Sequence, residues 1–419
     1  MKVLWFSNTP ANGAEILKGC GVRGGWLSSL DRALREKVEL TVVFYFARYV
    51  EPFNHKEVMY FPICKKNWKT NIIKKNLFGD FTDKEDLPIY LDIISKVQPD
   101  IIHIHGTENP FGCILGIDSC PIVLSVQGSS TVYNHKYYSG IERNYASLKG
   151  TKIWSPYSWI FNKSFNQFYK NYSNRARTRE QENLKKCKNI IGRTDWDRRI
   201  TRILAPHSVY FHNDEILRDS FYKKEWKSHG NKSIVIHSTI GSAIFKGFET
   251  ICQSLYELNR IGVNIEWQVA GVSKNDLLDK VVKKKLRTFY PLKGLALLGE
   301  LDEKELIDKM MEADIYVMPS HIENSPNSLC EAMMLGMPCI TTFAGGSSSL
   351  LKDKEEGLII QEGDPWSMAG AIIELSQDPF LAQKYGQKAR KRALIRHDPD
   401  TIVNELISIY CLIEKEHKK

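Results

Sequence analysis

The chain has 419 residues, of which 42% are hydrophobic and 26% are charged, and its formal net charge is +9. This length exceeds one ordinary domain and suits two cores of about 200 residues each. The composition is typical of a globular protein, and it excludes a chain that is mainly disordered or mainly embedded in a membrane.

The chain starts with a short apolar run at residues 1–6, which turns polar at Ser7 and Asn8. This run is too short for the apolar core of a signal peptide or for a bilayer-spanning helix. Nine cysteines are scattered without a C-x-x-C spacing, which favours reduced thiols and indicates no structural zinc. We therefore expect a cytoplasmic protein.

The positive charge is concentrated in residues 133–188, called the basic aromatic segment below. It contains twelve Lys or Arg, three Glu and twelve aromatic residues. Such interleaving is typical of surfaces that contact anionic membranes, diphosphate-bearing acceptors or nucleic acid. A solvated helical surface over an aromatic core explains the same composition.

Apolar runs of strand length alternate with helical stretches, which predicts α/β domains with parallel sheets. The predicted strands of the amino half are residues 2–6, 40–46, 58–61, 101–104 and 122–126. The pair Gly24-Gly25 precedes a helical stretch, and glycine there lets a backbone approach a ligand closely. A polar linker is predicted at residues 222–232, followed by strands at residues 233–237, 266–270, 295–298, 315–318 and 339–342.

Polar residues stand at the ends of two predicted strands of the amino half, His103 and His105 in one and Gln127 after the other. We expect the two histidines to face opposite sides of their strand and therefore not to share a metal. His103 is then structural, and His105 is available to a ligand.

An Asp-x-Asp pair, Asp195 and Asp197, follows the predicted strand at residues 189–192. Such pairs hold a divalent metal in some transferases of another fold. Here the pair stands at a predicted helix start, where an acidic cap explains it better than a metal does.

The most informative stretch is the short helix predicted to start at Pro326. Ser325 is the expected N-cap, Pro326 fits the first helical position, and Gly336 ends the helix. The first amide groups, on Asn327, Ser328 and Leu329, lack intrahelical partners and with the helix dipole form an anion site.

Two carboxylates flank this anion site, Glu323 before the helix and Glu331 within it. Either one alone is explained by a favourable contact with the helix dipole. A predicted strand ends just before this loop, however, and ligands of open α/β sheets bind at the carboxyl ends of strands.

The pattern Glu323-x7-Glu331, followed by Gly336-Met337-Pro338 and Gly345-Gly346, resembles the donor-site signature of glycosyltransferase family 4. The resemblance implies the GT-B fold, an α/β architecture of two Rossmann-like domains with a cleft between them. The expected domains are residues 1–222 on the acceptor side and residues 233–399 on the donor side, with residues 400–419 packing back on the first.

The resemblance also implies roles for individual residues. Lys246 and the amides of Asn327, Ser328 and Leu329 would hold the donor diphosphate, and Gly24 and Gly25 would approach it from the facing domain. Glu323 would bind sugar hydroxyls, Glu331 the ribose, and Gly299 would lie beside the base. Lys246, Glu323 and Gln127 are the expected catalytic residues, and His105 and Arg193 the expected acceptor-side residues.

Two positions depart from the family pattern. Gln127 stands where many members have a histidine near the donor sugar, and Gly241 stands where an arginine commonly reaches the diphosphate. Gln127 can hydrogen-bond a sugar but cannot shuttle a proton. Lys246 is then expected to meet more of the diphosphate charge.

The implied activity is retaining transfer of a sugar from a nucleoside-diphosphate sugar to a glycan or lipid-linked acceptor, in bacterial surface polysaccharide synthesis. We expect neither a metal nor another cofactor, no nucleic acid partner, and peripheral contact with the anionic inner face of the cell membrane. Two alternatives are a nucleotide-sugar epimerase of the same fold and a non-catalytic protein that binds a glycan or a sugar nucleotide.

Overall fold

The computed structural model describes residues 1–17, 26–64, 85–117, 119–146, 164–174, 179–229 and 233–419. The chain divides into two compact units, each built from separate stretches of sequence. Unit 1 comprises residues 1–134, 170–218 and 397–419, and unit 2 comprises residues 135–169 and 219–396.

Unit 1 contains an eight-stranded sheet in the order β3-β4-β2-β1-β5-β6-β7-β8. The strands are β1 (Lys2–Ser7), β2 (Glu39–Phe46), β3 (Phe53–His55), β4 (Val58–Cys64), β5 (Ile101–His105), β6 (Ile122–Ser125), β7 (Asn189–Gly192) and β8 (Val209–His212). Only the edge pair β3–β4 is antiparallel among the pairings of this sheet in the described ranges. The central strands are buried on both faces, as parallel strands between helices are.

The helices with residues in unit 1 cover both faces of its sheet or connect its strands. They are α1 (Leu27–Leu34), α2 (Leu87–Val97), α3 (Ser130–His135), α4 (Phe165–Asn174), α5 (Glu182–Leu184), α6 (Asp195–Leu204) and α15 (Pro399–His417). Helix α15 packs against α1, and its Tyr410 hydroxyl accepts a hydrogen bond from Trp5 Nε1 at 3.3 Å. The carboxyl-terminal helix is therefore part of the core of unit 1.

Unit 2 contains a six-stranded, fully parallel sheet in the order β11-β10-β9-β12-β13-β14. Its strands are β9 (Ile234–Thr239), β10 (Ile265–Ala270), β11 (Leu295–Gly299), β12 (Ile315–Met318), β13 (Cys339–Thr342) and β14 (Leu358–Ile360). Its helices are α7 (Asp219–Tyr222), α8 (Phe248–Arg260), α9 (Leu277–Leu286), α10 (Glu303–Glu312), α11 (Asn327–Leu335), α12 (Ser347–Leu350), α13 (Pro365–Gln377) and α14 (Pro379–Arg396).

The unit boundaries differ from those expected from the sequence. Residues 135–169 belong to unit 2, although they precede the last two strands of unit 1. The stretch predicted as a linker is partly packed, because Trp226 is buried and its Nε1 donates a hydrogen bond to the Ala313 carbonyl at 2.7 Å. This hydrogen bond fixes the segment around Trp226 to unit 2.

Each sheet reverses its direction of winding next to its first strand. In unit 2 the chain runs from β9 to β10 and β11, then returns to place β12 on the other side of β9. In unit 1 the same reversal separates β1 from β5. The loops that leave such a strand pair diverge and open a crevice at the carboxyl edge of the sheet. Among the described helices, none has both the length and the apolar character needed to cross a bilayer.

Candidate functional site

Lys246 and Glu323 meet at the switch point of unit 2. Lys246 ends a short 3-10 turn after β9, and Glu323 lies in the loop after β12. The Lys246 Nζ is 2.5 Å from Glu323 Oε1, which also accepts a hydrogen bond from Ser320 Oγ at 2.8 Å. The lysine side chain is 25% exposed and that of the glutamate 9%. The structure thus brings the two expected catalytic residues of unit 2 into direct contact.

Glycines allow the loops around this pair to pack closely. Gly247 has φ 76°, and a Cβ there would overlap the carbonyl oxygen of Pro319. Gly345 has φ 56°, and a Cβ there would overlap the carbonyl oxygen of Glu323. The amide of Gly346 donates to that same carbonyl at 3.0 Å. Only glycine accepts both the left-handed backbone and the close approach.

Helix α11 starts one residue later than the sequence predicted. Its N-cap is Pro326, with no side-chain cap, so the expectation of Ser325 as the N-cap is wrong. Proline has no N–H, and it takes the extended conformation that an N-cap requires. The helix ends at Gly336 with φ 84°, as predicted.

The anion site at this helix is smaller than expected. The amide of Leu329 donates to the Pro326 carbonyl at 3.0 Å, which leaves the amides of Asn327 and Ser328 as the principal donors. The Asn327 side chain adds a buried Oδ1 that has no hydrogen-bond partner in the described part of the chain. This oxygen could accept from a ligand hydroxyl.

The carboxylates of Glu331 and Glu323 both affect the pKa of Tyr316, which lies in β12. Burial raises the pKa of Tyr316, and the charges of the two carboxylates add to this rise. Glu331 is itself 6% exposed. Gly299 ends β11 with φ 68° and so lies at the same carboxyl edge of the sheet.

A buried pair that the sequence analysis missed lies beside these loops. His321 Nε2 is 2.5 Å from Glu249 Oε1, and the two side chains are 4% and 3% exposed. Burial opposes the charge on His321, but the hydrogen bond and charge of Glu249 raise its pKa overall. Burial likewise opposes the charge on Glu249, and the hydrogen bond to His321 lowers its pKa overall. The only signal in the sequence was position, because His321 is two residues before Glu323.

In unit 1, His105, Gln127 and Arg193 follow or end the neighbouring strands β5, β6 and β7. Both ring nitrogens of His105 and the Nε2 of Gln127 are buried without a hydrogen-bond partner among the described residues. Arg193 forms a buried ion pair with Glu215, and its guanidinium lies 4.9 Å from the centre of the Trp26 ring. Arg193 is therefore engaged within unit 1, whereas His105 and Gln127 retain unused hydrogen-bonding groups.

The expectation that His103 and His105 face opposite sides is wrong. Residues two apart in a strand share a face, and the two ring centroids are 3.8 Å apart. His103 lies 2.6 Å from both the Tyr410 hydroxyl and Ser125 Oγ, as a structural histidine does. Burial lowers the pKa of His103 to about 3 and holds that of His105 well below its usual value, with the charge of Arg193 adding to both. Both rings are neutral.

The Asp-x-Asp pair lies at the start of helix α6. Asp197 forms a capping box with Thr194, and its carboxylate also accepts from the Tyr210 hydroxyl at 2.6 Å. Asp195 is on the exposed first turn of the helix. Capping accounts for Asp197, which is fully buried.

Part of the basic aromatic segment, residues 147–163 and 175–178, lies outside the described residues, as do Gly24 and Gly25. Of its described cations, Arg179 is buried and donates to the Glu108 carbonyl, and Lys136 pairs with Glu362 at 2.5 Å. Arg179 is therefore not a solvated surface charge, whereas the Lys136 side chain is 39% exposed although it is paired. Lys185 and Lys186 are exposed.

The fold and the site define a class of protein. The chain is an α/β protein with a doubly wound parallel sheet, and a helix N-terminus, a lysine and buried carboxylates lie at the switch point of that sheet, where proteins of this class commonly bind phosphate-bearing ligands. Residues 220–392 match the family model described as glycosyl transferases group 1.

Curated relatives align mainly with part of the chain. The glycogen synthase of Mycobacterium tuberculosis is 25% identical over 176 residues, which are 42% of this chain and 41% of that protein. The capsular polysaccharide biosynthesis glycosyltransferase CapM of Staphylococcus aureus is 33% identical over 103 residues, 25% of this chain and 27% of that protein. The chain therefore aligns with less than half the length of these relatives.

Solved structures match almost the whole chain. Sucrose-phosphate synthase from Thermosynechococcus elongatus superposes with a TM-score of 0.72 at 12% identity, covering 99% of both chains. Anabaena HepE in complex with UDP-glucose superposes with a TM-score of 0.61 at 13% identity, covering 98% of this chain and 99% of that one. The fold is that of the GT-B glycosyltransferases, as the sequence predicted.

Proposed function

We propose that this protein is a family 4 glycosyltransferase that moves a sugar, with retention, from a nucleoside-diphosphate sugar to a glycan or lipid-linked acceptor. The observation that carries the proposal is the contact between Lys246 and Glu323 at the switch point of unit 2, beside the start of helix α11. A cation and free amides suit a diphosphate, and a buried carboxylate suits sugar hydroxyls.

Leaving-group stabilisation is the main source of catalysis in this proposal. Departure of the nucleoside diphosphate develops negative charge, which Lys246 and the amides of Asn327 and Ser328 are placed to meet. In this structure Lys246 is paired with Glu323, so an arriving phosphate must share or replace that carboxylate. The partial exposure of the lysine leaves room for this exchange.

The carboxylates serve hydroxyl groups, because they would repel phosphate. Glu323 accepts hydrogen bonds from the donor sugar, and Glu331 from the ribose. Charge-assisted hydrogen bonds of this kind are about twice as strong as neutral ones. Gly299, at the same edge, leaves space for the base.

Unit 1 offers neutral hydrogen-bonding groups that suit the hydroxyls of an acceptor. His105 and Gln127 have unused ring and amide nitrogens, and burial keeps the His105 ring neutral. Gln127 cannot take a proton, so the acceptor hydroxyl gives its proton to a phosphate oxygen of the donor. No metal or other cofactor takes part in this scheme.

Names of relatives support a place in bacterial polysaccharide synthesis. Besides CapM, an Escherichia coli enzyme named as a galactosyltransferase acting on a diphosphoundecaprenol-linked sugar is 30% identical over 89 residues. A lipid-linked acceptor would place the protein at the cytoplasmic face of the membrane. The exposed cations of the basic aromatic segment would then contact anionic lipid.

The test is a thermal-shift screen against nucleoside diphosphates and their sugars. A ligand at about one hundred times its Kd stabilises the folded state by about 2.7 kcal/mol, so the correct donor raises Tm most. Lys246→Gln should lose most of this shift, whereas Lys283→Gln, which removes a cation of unit 2 paired with Asp279, should keep it. Once the donor has been identified by its Tm shift, a second assay detects the sugar that is transferred to the acceptor.

Three results would contradict the proposal. If no nucleotide or nucleotide sugar raises Tm, the site does not bind this class of ligand. If the donor binds but only isomerises without an acceptor, the epimerase alternative is correct. Binding without any turnover over a broad acceptor panel would favour a non-catalytic sugar-nucleotide protein.

A further inference from the structure

The buried pair of His321 and Glu249 lies between the two loops that carry the donor-site residues. Glu249 is in the first turn of α8, three residues after Lys246, and His321 is two residues before Glu323. Their side chains are almost fully buried and 2.5 Å apart. Two buried ionisable groups cost free energy unless they satisfy each other, so this pair constrains both loops.

The backbone ties the same two loops together. The amide of His321 donates to the Phe245 carbonyl at 2.9 Å. Gly247 approaches the Pro319 carbonyl so closely that no side chain fits between them. Thr342 Oγ1 donates to the Ser320 carbonyl at 2.5 Å, which fixes the second loop to β13. The separation of Lys246 from Glu323 therefore depends on contacts next to each of them.

A third element, residues 136–146, closes over the pair from outside. A Cβ at Gly140 would overlap both the Glu249 carboxylate and the His321 ring. The Gly140 carbonyl accepts a hydrogen bond from Lys285 Nζ at 2.7 Å. This stretch excludes solvent from the pair, which strengthens the electrostatic interaction inside.

The charged groups around the pair come from every element that packs on it. Lys136 and Glu362 form an ion pair with each other, and their charges act on His321 with opposite signs. The charge of Lys285 acts on Glu249, and Lys285 also contacts Glu142 at 3.1 Å. Among the described charged groups, Glu249 is the one that hydrogen-bonds to the His321 ring directly.

We infer that His321 and Glu249 are positioning residues, whose ionic hydrogen bond sets the separation of Lys246 and Glu323 and thereby the affinity for the donor diphosphate. This inference rests on the proposed function. Both side chains are almost fully buried, so they act through the two loops.

The pair has a defined pH window. The pKa of Glu249 lies below its usual 4.5, so its contribution is complete above that value and is lost as pH falls through the folded pKa. The pKa of His321 lies above its usual 6.5, so its contribution is complete below that value and is lost as pH rises through the folded pKa. The pair is therefore intact between about pH 4.5 and 6.5 and weakens on the alkaline side.

The experiment measures the Kd of UDP by calorimetry from pH 5.5 to 9, with GDP and ADP in parallel, for wild type, His321→Gln and Glu249→Gln. Lys283→Gln is the matched control, because it removes an ion pair of unit 2 that involves neither loop. The β-phosphate also titrates in this range, so the signature is the difference between each variant and the wild type. Thermal unfolding over the same pH range reports whether each variant is folded.

We expect about tenfold weaker binding in His321→Gln at pH 6.5, a difference that disappears as pH rises and the wild type loses its own pair. Lys283→Gln should follow the wild type throughout. If a folded His321→Gln or Glu249→Gln binds as the wild type does at every pH, the pair is packing only and the inference is wrong. If His321→Gln does not fold, the difference between Glu249→Gln and the wild type over the same pH range decides.

Two outcomes distinguish a failure of this inference from a failure of the proposed function. If none of the three diphosphates binds the wild type at any pH, the proposed function is refuted, and the inference falls with it. If a diphosphate binds and only the pH difference is absent, the proposed function stands and the inference alone is refuted.

Discussion

Replacing Glu323 by glutamine should have opposite effects on binding of the bare nucleoside diphosphate and on sugar transfer. The carboxylate holds Lys246 at 2.5 Å in the structure, and it adds a negative charge where the diphosphate is proposed to bind. The amide of glutamine keeps the shape but removes the charge. Lys246 is then released, and the repulsion of phosphate disappears.

The size of the change in diphosphate affinity is estimated from the ion pair of Lys246 with Glu323 and from the exposure of the lysine. A hydrogen bond to a charged group contributes about 1.5–3 kcal/mol. Because Lys246 is a quarter exposed, solvent screens the interaction, and about 1 kcal/mol is a reasonable share. The nucleoside diphosphate should therefore bind about fivefold more tightly to Glu323→Gln. Transfer should fall by about tenfold or more, because the sugar hydroxyls lose a charged acceptor.

Calorimetry with the nucleoside diphosphate and initial rates with the full donor measure the two effects on the same preparation. Glu312→Gln is a suitable control, because it breaks an exposed ion pair with Lys309 in the same unit. The gain in affinity should shrink at high salt, since screening weakens exposed charges. Weaker binding of the bare diphosphate to a folded Glu323→Gln would refute the reasoning, because the carboxylate would then support nucleotide binding rather than oppose it.

The remaining predictions address the other parts of the site. Turnover should survive EDTA, since Lys246 and the helix amides supply the positive field; loss on chelation that manganese restores would contradict this. Glu331→Gln should raise the Kd of the nucleotide about tenfold with little change in kcat at saturating donor, and an unchanged Kd by calorimetry would remove the ribose assignment. Gly241→Arg should tighten diphosphate binding without loss of Tm, because a Cβ there meets no atom within 4 Å, and a Gly241→Gln control shows whether the gain needs the charge. The exposed lysines Lys185, Lys186 and Lys188 contribute up to about 1 kcal/mol each near an anionic surface, so changing all three to Ser should reduce co-sedimentation with anionic vesicles; equal sedimentation with neutral vesicles would argue against membrane contact.

The sequence predicted those parts of the fold in which local pattern and tertiary environment agree. Strands β12 and β13 have the predicted bounds, because short apolar runs between turn signals are buried on both faces. Strands β3, β8 and β14 were not predicted. They have three or four residues each, and all three lie at edges of their sheets, where a strand is covered by neighbouring strands on one side only and its apolar pattern is weaker.

In the candidate site, the sequence predicted residues that a motif holds together and missed those that only the fold brings together. Glu323 and Lys246 were predicted through motifs of the family that the sequence resembles, each motif lying within a single loop. His321 and Glu249 are 72 residues apart, and no local pattern joins a histidine to a carboxylate at that distance. The assignment of residues 135–169 to unit 2 depends on similar long-range contacts, such as that of Lys136 with Glu362.

The position of helix α15 has a consequence for synthesis of the chain. Trp5 is in the first strand, yet its indole N–H finds its acceptor on Tyr410, 405 residues later. A ribosome has therefore released nearly all of unit 2 before the core of unit 1 can close. Until residues 397–419 have been synthesised, part of the apolar surface of unit 1 stays exposed to solvent. All residues of unit 2 are therefore available for folding before those of unit 1 are. A chain cut before residue 399 would leave Trp5 and His103 without this partner, and we expect aggregation of such fragments to begin in unit 1.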